Sequence, residues 1–292
     1  METISMISII VSALFHASYN MLIKASDEKT LFMWSIFLIA VVAGWAAGWA
    51  AVPGFPVLQP TMVILAALSA IFFTSYHLAT AKAYASDEGD LSLSYPISTL
   101  APIFISLWAY LYLGDKLTTL VIAGILVSTA GTFFIQLKPS VRRSGFMSIG
   151  FRNEAIWFAL LASFLYSFGG IADKLGVGRE GFYVFTVCLM TMIFAYFTFV
   201  VFLSSRLRNR ALFCFSHHPL RVLLGGMLLF LSNMTYRFAL QTTDVSYAAG
   251  VRQVATLFAV LMGVFLLKER YGLLRFLAGL LIVIGIVLIK AG

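Results

Sequence analysis

A chain of 292 residues that is 61% apolar and only 11% charged is excluded from the soluble globular class, where the apolar share is about 45–50% and the charged share about 25%. At about 20 apolar residues per spanning helix, the length holds roughly ten helices and no sizeable water-soluble domain. Twenty Lys and Arg against twelve Asp and Glu give +8, a charge to be tested as a topological signal before any nucleic-acid partner is invoked. The two cysteines, Cys188 and Cys214, offer neither a metal-ligand spacing nor a disulfide framework.

In chain order, long apolar runs bounded by charges or Pro/Gly clusters predict ten spans, near 4–23, 31–51, 62–84, 91–112, 118–137, 153–172, 181–204, 220–241, 245–266 and 272–290. The first begins with Glu2 rather than Lys or Arg and turns polar at His16, Ser18, Tyr19 and Asn20. It is expected to be a retained span rather than a signal peptide. All twelve acidic residues fall at or next to a predicted helix end, so no carboxylate is expected in mid-membrane.

Odd-numbered connections hold twelve of the basic residues, and the even-numbered ones with the C-terminus hold four. Basic residues favour the cytoplasmic side, so the odd connections are expected inside and both termini outside. Cys214, in an odd connection, should react with an impermeant maleimide only after cells are opened.

Aligning Lys24 with Lys174 sets Ala13–Lys24 against Ser163–Lys174 and His16 opposite Tyr166; further on, Asp90 aligns with Asp244 and Asp115-Lys116 with Glu269-Arg270. Two five-helix halves follow, 1–137 and 153–292, joined by a basic linker at 138–152. An odd number of helices per half inverts the second in the membrane, as in many secondary transporters. The expected fold is therefore an all-α integral membrane protein with ten transmembrane helices as two inverted five-helix repeats.

The stretch Gly89-Asp90-Leu91-Ser92-Leu93-Ser94-Tyr95-Pro96-Ile97, followed by Gly114-Asp115-Lys116-Leu117, resembles the first-half signature of EamA-type proteins of the drug/metabolite transporter superfamily. Its second-half counterpart is Ser246-Tyr247-Ala248-Ala249-Gly250-Val251-Arg252-Gln253, running on to Leu267-Lys268-Glu269-Arg270 and a last helix with Gly279 and Gly285. The resemblance implies a cavity between the halves and transport of small metabolites, often as efflux. Asp115-Lys116 departs from the more usual Glu-Arg, and relatives are often drawn with both termini cytoplasmic.

Ionisable residues inside a membrane cost about 2.5–3.5 kcal/mol on insertion scales and so face a cavity or a partner. Lys82, Arg237, Arg252 and Arg275 lie outside the connections. Arg275 reaches the headgroups; Lys82 and Arg237, near helix ends, are read as snorkelling. Arg252, about 10 Å into the ninth span, either makes a structural bridge or offers its planar guanidinium to a carboxylate or phosphate. Gln253 and Thr256 extend its polar surface. In the fourth span Tyr95, Ser98 and Thr99 accompany Pro96 and Pro102, which kink the helix or free carbonyls toward a cavity.

His16, Tyr19 and Asn20, with Tyr166 at the repeat-related position, form the next tier. His16 is either a hydrogen-bonded packing residue or the group that couples transport to protons. Tyr76, His77, Asn233 and Tyr236, with Arg237, are candidate cavity residues. The Gly44/Gly48 pair and Gly169-Gly170 are expected to permit close helix packing. His217-His218 is read as a solvated turn.

With no buried carboxylate expected, an organic-cation exporter is disfavoured. Arg252 favours a secondary transporter, by efflux, of a small anionic or zwitterionic metabolite that alternates access between the two repeats. The expected setting is multi-pass in a cell membrane, a bacterial inner membrane, as a monomer or homodimer in the lipid bilayer. No cofactor, metal or nucleic acid is expected. The alternatives are a membrane-embedded enzyme, for which the sequence has no catalytic cluster or metal motif, and a non-transporting membrane subunit.

Overall fold

In a computed structural model, residues 1–55, 58–85, 97, 100–136, 154–267 and 273–292 are described. Apolar stretches of 18 or more residues form the long helices α1 (Thr3–Lys24), α2 (Lys29–Ala51) and α3 (Pro60–Ala85). Pro102 sits in the first turn of α4 (Ala101–Trp108), where its missing N–H costs nothing. The helix continues as a π-turn over Ala109–Leu113 and stops at Gly114, whose φ of 75° is the left-handed closing conformation. Then follow α5 (Thr119–Gln136), α6 (Glu154–Glu180) and α7 (Phe182–Leu203). Two short helices, α8 (Ser205–Asn209) and α9 (Phe213–His217), lead to α10 (Pro219–Leu240). The chain ends with α11 (Val245–Arg252), α12 (Val254–Leu267) and α13 (Leu273–Ala291).

Seven of the described helical stretches are long and apolar enough to cross a membrane, and Ala101–Leu113, Thr119–Ile135 and Phe276–Ala291 are shorter apolar helices. The chain is thus a multi-pass membrane protein.

One expected boundary is corrected. The sixth span does not end at 172: α6 continues through Asp173 and Lys174 to Glu180, and the turn falls at Gly181, whose φ is 82°. Both charges are satisfied where they stand. Asp173 pairs with Arg237, and the Lys174 ammonium donates to the Leu240 carbonyl at 2.6 Å, closing the end of α10.

Contacts divide the chain into two compact units. One comprises Glu2–Thr74 with Ala172–Thr242, the other Ser75–Ile171 with Thr243–Gly292 and Met1, so each draws on both halves of the sequence. In the first unit α10 packs against α1, α2 and α7. Gly44 lies against α7, its carbonyl accepting from the Tyr183 hydroxyl at 2.7 Å, whereas Gly48 makes room for Phe55.

In the second unit α5 packs along α13 through small residues. A Cβ on Gly285 would lie 2.5 Å from the Ser128 nitrogen, and one on Gly124 2.6 Å from the Gly285 carbonyl oxygen. Gly170 borders the Ile105 side chain. This is the small-residue packing that lets membrane helices touch backbone to backbone.

Candidate functional site

Four polar side chains converge inside the first unit. Asn233 and Arg237 are four residues apart and so share one face of α10. The Arg237 guanidinium donates to Asn233 Oδ1 at 2.7 Å and to Asp173 Oδ2 at 2.6 Å, while Ser69 of α3 donates its hydroxyl to Asp173 Oδ1 at 2.6 Å. Asp173 is 1% exposed and Arg237 3%. The Nε of Arg237 is buried without a hydrogen-bond partner among the described residues.

Two expectations are corrected here. Arg237 does not snorkel, and a carboxylate is buried within a candidate span, Glu154–Gly178. The physical reason is mutual compensation: each charge removes the cost of burying the other, so neither marks a helix end. Reading the helix stop at Gly181 rather than at the first charged residue would have placed Asp173 two turns inside α6. Ser69 carried no sequence signal.

Elsewhere in this unit, the Tyr19 hydroxyl and His16 Nδ1 are 2.7 Å apart, one helical turn from each other. Asn20 donates to the His16 carbonyl of its own helix, and Tyr236 is buried.

In the second unit Tyr76 stacks edge-on against Tyr166, with ring centres 5.1 Å apart, and tilts over His77 at 4.8 Å. Lys82 is exposed, with its ammonium 5.4 Å from the Phe158 ring centre.

The ninth span is divided at Gln253, whose N–H closes a tight turn onto the Gly250 carbonyl, with Arg252 the last residue of α11. Gln253 is buried and its amide lies 3.4 Å from the Thr129 hydroxyl; Arg252 and Thr256 are half-buried. Tyr95, Ser98 and Thr99, with Pro96 and the linker, lie outside the described residues. Of the predicted polar set, His16, Tyr19, Asn20, Asn233, Tyr236 and Arg237 lie in the first unit, and Tyr76, His77, Tyr166, Arg252, Gln253 and Thr256 in the second.

The Gly114-Asp115-Lys116-Leu117 motif has a structural basis in the second unit. Gly114 turns the chain so that Asp115, 6% exposed, accepts from both the backbone N–H and the hydroxyl of Ser246 at the start of α11. A carboxylate there satisfies orphan donors and faces the positive end of the helix. Tyr247 donates to the Lys116 carbonyl at 3.2 Å. The opening of the second-half signature is therefore held by the end of the first-half signature.

Cys214 of α9, outside the spans, is buried, and burial together with the Glu28 carboxylate pushes its thiol above the usual range. It is a poor target for thiol labelling, which corrects its expected use as an orientation reporter. Among the described residues, no group of three or more His, Cys, Asp or Glu could hold a metal ion.

A solved crystal structure, 18% identical in sequence, shares the fold with a TM-score of 0.77, covering 100% of this chain and 98% of that one. No curated protein matches this sequence. Residues 153–291 match the model of the EamA-like transporter family, part of the drug/metabolite transporter superfamily.

Proposed function

We propose that this protein is a secondary transporter that exports a small zwitterionic or anionic metabolite from the cytoplasm of a bacterium. It spans the inner membrane ten times as two inverted five-helix halves, 1–137 and 153–292, that alternate access. The seven long helices and the three shorter apolar ones support a multi-pass chain, and the family match supports transport over a membrane enzyme or a non-transporting subunit.

The observation that carries the choice of substrate is the Asp173–Arg237 pair. A buried carboxylate removes the earlier ground for disfavouring cations, and charge balance takes its place. An anion that drew Arg237 away would take the guanidinium from a buried Asp173, and a cation that drew Asp173 away would take the carboxylate from Arg237. Either costs several kcal/mol. A zwitterion replaces one internal ion pair by two intermolecular ones and leaves every charge paired. Arg252, at the divided ninth helix of the other unit, is by its own chemistry a guanidinium suited to a carboxylate.

Thermal unfolding of the detergent-purified protein with L-amino acids, their N-acetyl derivatives and their amides tests the choice. Stabilisation by free amino acids above both derivatives supports it, and Arg252→Gln should weaken that stabilisation about tenfold in concentration. Stabilisation by the amides alone contradicts it.

A further inference from the structure

At one end of the first unit, α2 begins at Lys29, α7 ends at Leu203 and α10 begins at Pro219, with α8 and α9 forming the connection. α9 packs against both α2 and α10, so these termini meet in one surface. That surface carries Lys29, Arg206, Arg208, Arg210 and Arg221, all exposed, against Asp27 and Glu28. Glu28 is the carboxylate of the patch already engaged: it accepts from Arg206 at 3.4 Å and from Arg210. Arg210 also lies over the Phe213 ring at 4.4 Å. Arg208 and Arg221 have no carboxylate partner among the described residues. Five positive groups against two negative ones leave an uncompensated charge of +3.

The charge does not stand alone. Leu203 is 69% exposed, Leu212 70% and Leu220 66%, and all three border the arginines in sequence at the ends of α7 and α10 and between α8 and α9. Guanidinium groups beside exposed leucines at the mouths of spanning helices fit an amphiphile whose head is anionic and whose body is apolar. A soluble polyanion such as nucleic acid would use the charge and leave the leucines in water.

We propose that this surface binds the phosphate headgroups of anionic phospholipids, with Arg206, Arg208 and Arg221 donating to phosphate oxygens and Leu203, Leu212 and Leu220 lying against the acyl chains. The bidentate guanidinium geometry suits a phosphodiester, and Glu28 holds Arg206 and Arg210 in place for it. This is independent of the transported solute, because none of these residues belongs to the buried cluster or to the divided helix.

The test uses the full chain in a zwitterionic detergent, titrated with dioleoylphosphatidylglycerol or dioleoylphosphatidylcholine, reading the thermal unfolding midpoint and the lipid retained by native mass spectrometry. Phosphatidylglycerol should raise the midpoint and be retained, and phosphatidylcholine should do neither. The phosphatidylglycerol effect should shrink in about 1 M salt, where the screening length falls to about 3 Å. The variant Arg206→Gln, Arg208→Gln, Arg221→Gln should need at least tenfold more phosphatidylglycerol for the same shift. If it fails to fold, Arg208→Gln with Arg221→Gln serves, since neither arginine holds a carboxylate.

Equal responses to the two lipids, an unchanged response of the variants, or an equal shift with glycerophosphoglycerol, which has the head but no chains, would each overturn the proposal. Preferential retention of a nucleic-acid oligonucleotide over the lipid would do so as well.

Discussion

Arg237 and Asp173 lie 2.6 Å apart with almost no exposure, so each offsets the cost of burying the other. Replacing Arg237 by Gln removes the guanidinium from a buried carboxylate, and a loss of about 3–5 kcal/mol is expected as a lower thermal midpoint. The double variant Asp173→Asn, Arg237→Gln should recover most of that loss. Equal losses in the single and double variants would show that the pair is not coupled.

The same scale governs Cys214. Its thiol is held above the ordinary range by burial and by Glu28, so little thiolate exists near neutral pH and maleimide labelling should be slower than for an exposed cysteine. Raising the pH should restore the rate. Glu28→Gln should lower the thiol toward its ordinary value and speed labelling at fixed pH, which stopped-flow or mass-spectrometric labelling would detect.

Among the elements, the contact of α5 with α13 has least room for change. Gly124, Gly131 and Gly285 bring main chain against main chain, so Gly285→Ile must force the helices apart at a cost of about 1–3 kcal/mol. Gly178 of α6 meets nothing within 4 Å, and Gly178→Ala should be neutral or stabilising by up to about 1 kcal/mol. Comparing the midpoints of the two variants checks this directly.

The spans were legible because a 20-residue apolar run has few other fates, and most predicted ends fall within two residues of the observed helices. The end of α6 lies eight residues beyond the predicted one, and this has a physical cause. A charge ends a helix in a sequence reading because burying it alone is costly, and the sequence does not print the partner that removes the cost, here 64 residues away. The site was legible by half for the same reason. Asn233 and Arg237 stand out as polar residues one turn apart in an apolar helix, whereas Ser69 and Asp173 gain meaning only from the packing that brings α3 and α6 to them.

At the scale of the whole molecule, the excess of basic residues in odd connections predicts a cytoplasmic side for α8 and α9. Ser216, exposed on α9, is a better reporter than Cys214. A Ser216→Cys substitution in a Cys214→Ala background should label with an impermeant maleimide only in opened cells, and labelling in intact cells would invert the orientation.

Movement of a zwitterion through this chain is tested most directly by counterflow in proteoliposomes. Vesicles loaded with unlabelled amino acids should accumulate the matching radiolabelled one through the wild-type protein, and Asp173→Asn, Arg237→Gln should abolish accumulation while remaining folded. No accumulation of any amino acid by the wild-type protein, or undiminished accumulation by the double variant, would contradict the account.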